Sequence, residues 1–544
     1  MYNRGTEHPY NDGIIFVSNR GPFRIVNGEY ILTKGGLVSA TLGLMKDGNS
    51  SWVTAAEEVG SNPVYRHTDK DYNFTWKTVH TSAEIVKSFY QGFCNNFLWP
   101  ALHYRNELLE SRTFPRVIGD MDISKQCGLD YNGSAMIEFN ASDYDDYTTA
   151  NINFAQAIKQ EYRDVPRPIW VQDYHFLLAP RIMRTYLKGV RDVNVQDVPI
   201  ALFMHVPFFS KDTRALLNTE ELWKQYGKKR PRREIAVGML GADLIGFHTP
   251  EYVHDFAAFI EETIPKTKIS ESDEFVVISY KKDGKTNQTY VGAFPIGLEV
   301  EKILDAAKSD SLSDVDKKYL KMDELIKKRK SEGATVICGL GRMDYTKGIL
   351  ESLNIIEEML ERGMNVQYIG YWSPSRENIP GYDFLKDMVF EKANSINNRF
   401  KHDDVLHVVI KNEEIKYPDN MMFLRDASIV MVPSLKDGFH LVPVEAMLAN
   451  SHLPYDQRAL VVMSHDCGAS YALDRFDEND GLLRISPIRT NESVDKILRA
   501  YEKNLRISDP LLDFAKGMDV KKWQAANMNA LYEVKERKKE LVLC

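Results

Sequence analysis

Two cations stand on one short loop of the sequence. The segment Gly341–Gly348 reads Gly-Arg-Met-Asp-Tyr-Thr-Lys-Gly, follows the apolar run that ends at Leu340, and opens a helical pattern. Its two cations are Arg342 and Lys347. Positive charge placed where a phosphate group departs stabilises the negative charge that the phosphate gains. The loop therefore suits a diphosphate leaving group, although its spacing alone also fits an ordinary surface loop.

A second loop carries two carboxylates. Asp437-Gly438 forms a turn after the apolar run Ser428–Val432, and Glu445 follows about two turns into a helix. An aspartate at such a turn can hold sugar hydroxyls. A glutamate on the next helix can accept hydrogen bonds from both hydroxyls of a ribose. The alternative is that Asp437 is only a helix cap and Glu445 only part of a solvated face.

Arg20 and a pair of glycines mark a third region. Arg20 follows the first apolar strand, where its guanidinium can grip a phosphate in a bidentate fork. Further on, Lys34-Gly35-Gly36-Leu37 precedes a helical pattern. Paired glycines at a helix start let backbone N–H groups approach an anion, with the helix dipole assisting. The same glycines are equally compatible with a simple tight turn.

These loops must be positioned by two sets of apolar strands that alternate with helical patterns. Such continuous apolar runs predict parallel sheets covered on both faces. The charged, helical stretch between the sets predicts two doubly wound α/β domains, 1–297 and 298–544. The first contains an insertion at about 110–142. Ligands bind outside the carboxyl ends of the strands in such folds, so the cleft between the domains is the expected site. The predicted strands are Ile14–Ser18, Ile169–Gln172, Ile200–Met204 and Asp243–Phe247, then Thr335–Leu340, Val366–Tyr371, Val405–Ile410, Ser428–Val432 and Ala459–Met463.

Composition excludes several classes of protein. The 544 residues are 43% hydrophobic and 27% charged, and the net charge is −8, which argues against broad nucleic-acid binding. No apolar run reaches the roughly 18 residues that a membrane-spanning helix needs. The polar amino terminus lacks a signal-peptide core, so a cytoplasmic location is expected. The five cysteines are scattered, which predicts free thiols and neither a disulfide framework nor a zinc site.

In combination, these motifs resemble the trehalose-6-phosphate synthase family, glycosyltransferase family 20, whose members have the two-domain GT-B fold. The resemblance runs from about residue 13 to about residue 535, in the family's order and at nearly its spacing. Its stretches are Ser18-Asn-Arg20, Gly35-Gly36, Asn96–Tyr104, Asp173-Tyr-His175, His205–Phe208, Gly241–Phe247, Pro295–Gly297, Arg342–Lys347, Ser375-Arg376, and Asp437-Gly438 with Glu445.

The resemblance implies a retaining enzyme that moves glucose from a nucleotide sugar, with UDP-glucose the expected donor, to glucose 6-phosphate. It implies no metal and no cofactor, because Arg and Lys would neutralise the diphosphate. It also implies that a last segment, 521–544, crosses back to the first domain. The implied catalytic residues are Asp173, His205, Arg342 and Lys347. The implied donor-binding residues are Gly36, Arg342, Lys347, Asp437, Gly438, Leu441, Val442 and Glu445, and the acceptor-binding residues are Arg20, Trp52, Tyr104, Asp173 and Arg376.

The sequence departs from the family pattern on the acceptor side. Ala55 stands where a second tryptophan usually follows Trp52, and Tyr144 stands where another is expected. His440 and Val444 replace the usual Asn and Lys. Two alternatives therefore stay open. One is the same chemistry with another donor or acceptor, as in a glucosylglycerol-phosphate synthase or a cyclitol-joining pseudo-glycosyltransferase. The other is a non-catalytic regulatory subunit. Self-association and the donor base are also open.

Overall fold

Two mostly parallel sheets, each covered by helices, organise the chain in the computed structural model. The structure describes residues 13–26, 29–32, 36–46, 48–55, 64–69, 71–104, 116–117, 136–137, 141–191, 193–217, 231–272, 274–282, 284–308, 317–376, 379–401 and 405–543. Most of the predicted insertion at 110–142 lies outside these residues.

The first sheet is built from strands between residues 15 and 293. In chain order, with two small pairs that lie outside the sheet, the strands are β1 (Ile15–Val17), β2 (Phe23–Val26), β3 (Glu29–Leu32), β4 (Ser50–Ala55), β5 (Val64–Thr68), β6 (Asn73–Val79), β7 (Arg116–Val117), β8 (Met136–Ile137), β9 (Ile169–Gln172), β10 (Ile200–Phe203), β11 (Leu244–Phe247), β12 (Lys268–Glu271), β13 (Val276–Lys282) and β14 (Lys285–Ala293). Their order across the sheet is β12-β13-β14-β11-β10-β9-β1-β4-β6-β5. The strands from β14 to β6 are parallel, and antiparallel strands close both edges.

Helices cover both faces of this sheet. They are α1 (Gly36–Leu42), α2 (Ala83–Val86), α3 (Trp99–His103), α4 (Ala141–Asp164), α5 (Ala179–Leu187), α6 (Lys211–Leu217), α7 (Pro231–Met239) and α8 (Pro250–Thr263). A π-helical stretch, Lys87–Leu98, joins α2 to α3. Local sequence sets some of the ends. The Thr249 hydroxyl accepts a hydrogen bond from the Tyr252 N–H at 3.3 Å, and Pro250 occupies the first turn of α8.

The second sheet is entirely parallel among the described residues. Its strands are β15 (Thr335–Arg342), β16 (Val366–Ser373), β17 (Val408–Lys411), β18 (Ile429–Val432), β19 (Leu460–Ser464) and β20 (Leu482–Ile485), in the order β17-β16-β15-β18-β19-β20. The helices of this half are α9 (Val300–Lys308), α10 (Lys317–Ser331), α11 (Ile349–Glu361), α12 (Pro380–Arg399), α13 (Asp419–Arg425), α14 (Val442–Ala449), α15 (Gly468–Ala472), α16 (Thr490–Glu502), α17 (Asp509–Lys516) and α18 (Val520–Leu543).

Alternate residues of a strand enter cores on opposite faces of the sheet. In β1, Ile15 and Val17 belong to one buried cluster and Phe16 to the other, and all three are completely buried. Burial on both faces explains why these strands read as continuous apolar runs in the sequence. The predicted α/β class with two parallel sheets is confirmed.

The chain passes between the two halves twice, and the two crossing segments lie side by side. The Leu298 N–H donates to the Met518 carbonyl, and the Val520 N–H donates to the Leu298 carbonyl, both at 2.9 Å. Helix α18 then packs on the first sheet, where the Trp523 ring lies 5.1 Å from that of Trp170. The Gln524 amide donates to the Ala40 carbonyl at 2.6 Å. The domain boundary at residue 298 stays a prediction.

Several strands of the first sheet were not predicted. β4 lies beside β1 and β6 lies beside β4, and both carry serine, threonine, asparagine or lysine between their apolar residues. The β13–β14 hairpin is similarly polar at its outer end. No helix in the described part of the chain has the length and apolarity needed to cross a membrane.

Candidate active site

The carboxyl ends of the two sheets face each other across a cleft of about 420 Å³. From the first half, His205 follows β10 and His248 follows β11. From the second half, Arg342 ends β15, and the loop after β18 supplies Asp437. The cleft therefore lies where parallel α/β sheets bind ligands, and it draws its lining from both halves.

The two predicted leaving-group cations both line the cleft. Arg342 has a side chain that is 40% exposed, and its nearest carboxylate oxygen, on Asp344, is 3.8 Å away. Lys347 ends a short 3₁₀ turn, and its ammonium forms an ion pair with Asp437. Although burial opposes ionisation, this ammonium holds the pKa of Asp437 well below its usual range. A carboxylate thus neutralises Lys347, while the Arg342 side chain is partly open to solvent.

The loop that carries Asp437 presses against the first half of the chain. A Cβ on Gly438 would fall 2.0 Å from the carbonyl oxygen of His205, so only glycine lets these two backbones approach so closely. The Tyr252 hydroxyl donates to the Asp437 carbonyl at 2.9 Å. The Phe439 N–H donates to the Asp437 carboxylate at 3.2 Å. These contacts fix the Asp437 carboxylate at the junction of the halves.

Glu445 and its neighbours Leu441 and Val442 line the same cleft at the start of α14. Burial raises the pKa of Glu445 to about 7. His440 lies beside them, and its Nδ1 is 2.7 Å from the Ser434 hydroxyl. Burial lowers the pKa of His440 to about 3, so its imidazole is neutral. Here the Glu445 carboxyl therefore lies beside the apolar side chains of Leu441 and Val442.

Asp173 and His205 meet at the ends of neighbouring strands β9 and β10. The Asp173 N–H donates to the Phe203 carbonyl at 2.7 Å, and its carboxylate accepts from the His205 N–H at 3.2 Å. Burial raises the pKa of Asp173 to about 6. Burial and the neighbouring His248 hold the pKa of His205 well below its usual range. The His205 ring Nε2 lies 2.9 Å from the Gln172 amide oxygen, which fixes the orientation of the neutral imidazole.

Three residues of this region have a strained backbone. Asp173, Arg376 and His440 have positive φ angles of 72°, 47° and 63°, respectively, a region that residues other than glycine rarely adopt, and in the described chain Lys266 and Asn504 share it. Strained residues persist where the surrounding structure holds them, and they cluster at functional sites. Two of these five, Asp173 and Arg376, are predicted site residues, and a third, His440, lines the cleft.

Arg20 and Arg376 converge on Tyr90 from opposite halves of the chain. The Arg20 guanidinium donates to the Tyr90 hydroxyl at 3.0 Å. Burial of Tyr90 favours its neutral form, yet Arg20 and Arg376 together lower its pKa. The guanidinium of Arg376 lies 3.8 Å from the centre of the Trp99 ring and forms an ion pair with Asp344. Two arginines, a tyrosine hydroxyl and an indole thus form one corner whose positive charge suits an anion (the anion-binding corner).

Sequence reasoning missed Tyr90 and Trp99. Trp99 lies within the stretch Asn96–Tyr104, but Tyr104 was selected from that stretch. The structure places Tyr104 in the core, 5% exposed, where its carbonyl accepts from the Ser210 hydroxyl at 2.7 Å. The available signal was the tryptophan of that stretch, because guanidinium groups stack on indole rings.

Trp52 and Tyr144 do not form walls of the cleft. Trp52 is completely buried, and its indole N–H donates to the Ser18 hydroxyl at 2.8 Å. Ser18 in turn donates to the Arg20 carbonyl at 2.7 Å, so Trp52 supports the Arg20 segment from behind. Tyr144 is buried and donates to Glu234 at 2.5 Å. A buried ring has no face to offer a sugar, so the expected direct contacts of both residues with the acceptor do not fit the structure.

Gly36 begins α1, while Lys34 and Gly35 lie outside the described residues. Among the residues whose placement is described, no group of three or more His, Cys, Asp and Glu side chains is arranged to hold a metal ion.

Comparisons with known proteins agree with this architecture. The model of glycosyltransferase family 20 matches residues 14–116 and 130–533. The chain is 28% identical over 501 residues to a UDP-forming α,α-trehalose-phosphate synthase of Pichia angusta, covering 89% of this chain and 90% of that protein. It is 26% identical over 502 residues to the 56 kDa subunit of the Saccharomyces cerevisiae synthase, covering 90% of this chain and 86% of that protein.

Two solved structures share the fold. A UDP-forming α,α-trehalose-phosphate synthase of Burkholderia xenovorans in complex with glucose 6-phosphate has a TM-score of 0.73 at 22% identity, covering 96% of this chain and 100% of that one. An E. coli structure bound with UDP-2-fluoro glucose also has a TM-score of 0.73 at 22% identity, covering 95% of this chain and 98% of that one.

Proposed function

Because the chain belongs to glycosyltransferase family 20, we propose that it transfers glucose from UDP-glucose to glucose 6-phosphate and forms trehalose 6-phosphate. The observation that carries this proposal is that two cationic regions adjoin. Arg342 and Lys347 line the cleft, and the anion-binding corner of Arg20, Tyr90 and Arg376 lies next to them, since Arg342 and Arg376 lie 5.3 and 3.8 Å from the centre of the same Trp99 ring. A donor with a diphosphate and an acceptor with a phosphate satisfy both regions at once.

On the donor side, Arg342 and Lys347 bind the diphosphate, assisted by backbone N–H groups near Gly36. Arriving phosphate oxygens compete with Asp437 for Lys347, which frees the Asp437 carboxylate to accept from hydroxyls of the donor glucose. Glu445 accepts from the ribose hydroxyls, and Leu441 and Val442 line the nucleotide beside it. Nucleotide binding therefore favours the ionised form of Glu445.

On the acceptor side, Arg20, Tyr90 and Arg376 bind the 6-phosphate. Asp173 and the neutral His205 line the sugar near the reacting bond. Charged hydrogen bonds from arginine to phosphate are roughly twice as strong as neutral ones, so the phosphate anchors the acceptor and directs its sugar ring into the cleft. Trp52 acts indirectly, through Ser18, on the backbone of Arg20.

The reaction breaks the bond from glucose C1 to the diphosphate oxygen. The C1 hydroxyl oxygen of glucose 6-phosphate bonds to the donor C1 on the same face, and its proton passes to the departing diphosphate. The products are trehalose 6-phosphate and UDP, with the α configuration retained. Asp437 orients sugar hydroxyls in this scheme and does not attack, because those hydroxyls and the Phe439 N–H engage its carboxylate.

We further propose that the reaction needs no metal ion, since Arg342 and Lys347 supply the positive charge that a metal would bring to the diphosphate. A cytoplasmic location is proposed as well. It suits the three cysteines of the described residues, Cys94, Cys338 and Cys467, all of which are free and buried.

The proposal is tested by assaying nucleotide release and sugar product with each donor–acceptor pair. The donors are UDP-, GDP- and ADP-glucose, and the acceptors are glucose 6-phosphate, glycerol 3-phosphate and glucose. We expect UDP-glucose with glucose 6-phosphate to give the highest kcat/KM. Arg20→Ala should raise KM for glucose 6-phosphate, whereas Arg66→Ala, which also removes an exposed arginine of the first sheet, should not. Preferential use of glycerol 3-phosphate, or no turnover with any pair, contradicts the proposal.

A further inference from the structure

A second cavity, of about 210 Å³, lies where the strands of the first sheet begin, at the opposite end of these strands from the cleft. Asp243, which lines it, immediately precedes β11, whereas His248 of the cleft immediately follows that strand. Its walls come from α5, from α7 and the residues after it, from the β13–β14 hairpin and from α18. The reaction proposed above uses none of these residues.

The lining of this cavity is strongly basic. Its cations are Arg181, Arg184, Arg233, Lys281, Lys282 and Lys538, and Asp243 is the one acid among the described lining residues. Within the described chain, the side chains of Arg181 and Arg233 make no ion pair. A concave surface of one sign focuses the electrostatic field and concentrates ions of the opposite sign. The cavity therefore attracts anions even though the whole chain carries a net charge of −8.

The buried wall of the cavity carries an excess of positive charge. The Asp243 carboxylate, 3% exposed, accepts from Arg184 and from Lys538, each at 2.7 Å, and Lys535 lies 3.7 Å away. One carboxylate thus faces three cations. Burial, assisted by Arg184 and Lys538 and opposed by Asp243, lowers the pKa of Lys535 to about 8. Buried charge without a counter-charge is costly, and this cluster has more positive than negative charge.

We propose that this cavity is a binding site for a small phosphate-bearing anion, separate from the catalytic cleft. The guanidinium groups of Arg181 and Arg233 match the geometry of phosphate oxygens, and the phosphate charge balances the cluster around Asp243. Lys535 and Lys538 belong to α18, the helix that returns to the first sheet from the other half of the chain. A bound anion therefore strengthens the attachment of α18 to this sheet.

Isothermal titration with inorganic pyrophosphate tests the site. The starting protein is Arg20→Ala/Arg342→Ala/Lys347→Ala, which disables both the anion-binding corner and the diphosphate position in the cleft. We expect it to bind about one equivalent of pyrophosphate. Adding Arg181→Ala and Arg233→Ala should weaken this binding at least tenfold, whereas the charge-matched changes Lys211→Ala and Lys386→Ala should leave it unchanged. All four of these side chains lie at the surface or are partly exposed, so folding is preserved.

Equal affinity with and without Arg181 and Arg233, or no pyrophosphate binding to the starting protein, overturns the proposal. The assay contains no nucleotide sugar and no acceptor, so its result is independent of the proposed transferase activity. Hydrogen exchange tests the link to α18. Pyrophosphate should slow exchange of the backbone amides from Lys535 to the end of α18 in the starting protein and not in the variant lacking Arg181 and Arg233. Unchanged exchange despite binding refutes that link.

Discussion

Replacing Asn95 by alanine removes a hydrogen bond by which the first half of the chain holds Arg376 of the second, whereas Trp99 keeps its contact with that guanidinium. The Asn95 amide oxygen accepts from Arg376 Nε at 2.8 Å and from the Tyr174 hydroxyl at 2.9 Å. Its amide nitrogen donates to the Tyr90 carbonyl at 2.6 Å. Asn95 is 2% exposed and thus lies behind the anion-binding corner without facing the ligand itself.

The size of the effect follows from these contacts. A hydrogen bond to a charged group contributes roughly 1.5–3 kcal/mol. In Asn95→Ala, Arg376 keeps its ion pair with Asp344 and its 2.9 Å hydrogen bond to Tyr382, but loses the contact that points it toward Tyr90. At about 1.4 kcal/mol per factor of ten, KM for glucose 6-phosphate should rise roughly 10–100-fold. The unpaired partners should also lower the free energy of unfolding by about 1–3 kcal/mol.

Initial-rate kinetics with each substrate varied in turn measure this effect. KM for UDP-glucose should stay within about twofold, because no donor residue contacts Asn95. Asn450→Ala is the matched control. Asn450 is also fully buried, and its amide bonds to the Leu424 and Ala446 carbonyls at 3.3 and 2.8 Å, away from the cleft. It should cost stability without changing either KM. An unchanged KM for glucose 6-phosphate in Asn95→Ala, or an equal rise in both KM values, refutes the reasoning.

Arg342→Ala should lower kcat about 10²–10³-fold, the usual cost of one preorganised charge donor, with little change in the melting temperature because the side chain is 40% exposed. Glu445→Gln should alter pH dependence. An unfolded glutamate loses its proton near the ordinary pKa of 4.5, whereas burial holds the folded pKa at about 7, so stability of the empty enzyme falls as pH rises between these values. The variant should lack this contribution to the free energy of unfolding, which is up to about 3 kcal/mol. The affinity of the wild-type enzyme for UDP should increase from pH 5.5 to 8, and that of the variant should not. Ala55→Trp should change KM for the acceptor roughly tenfold and leave KM for the donor unchanged, because the Ala55 N–H donates to the Asn19 carbonyl beside Arg20 at 3.2 Å.

The opposite result in each of these experiments contradicts the corresponding prediction. Near-normal turnover of Arg342→Ala removes Arg342 from the mechanism, and Lys386→Ala supplies the control for loss of an exposed cation. Parallel stability curves for wild type and Glu445→Gln between pH 4.5 and 7 mean that Glu445 is ionised in the empty cleft. An unchanged acceptor KM in Ala55→Trp shows that position 55 does not face the acceptor.

The sequence predicts the central strands well because they are buried on both faces. β9, β10, β15 and β18 read as short apolar runs, and their predicted bounds differ by at most two residues from those of the structure. β4 and β6 escape prediction because their polar side chains find partners inside the sheet. The Trp76 indole, for example, donates to the Thr54 hydroxyl at 2.9 Å. Such pairing depends on tertiary neighbours that a single sequence does not display.

The same reasoning explains which site residues were missed. Arg342 ends a strand, and Lys347, Asp437 and Glu445 lie on the loop or the helix start that follows one, so the position of the strand predicts the position of the side chain. Tyr90 and Asn95 lie instead in the π-helical stretch Lys87–Leu98. A π-helix pairs residues five apart, which is the spacing of Tyr90 and Asn95, and this form is rare. The spacing of an ordinary α-helix therefore does not predict that Tyr90 and Asn95 are neighbours.

The structure of the sugar product tests the central claim most directly. The enzyme should be incubated with UDP-glucose labelled with ¹³C at C1 and with unlabelled glucose 6-phosphate, and the product should be examined by NMR. The account predicts one labelled anomeric carbon in the α configuration, bonded through oxygen to C1 of the acceptor glucose, with UDP released in equal amount. A β-configured product, a label attached to any other acceptor atom, or release of free labelled glucose as the main product contradicts it.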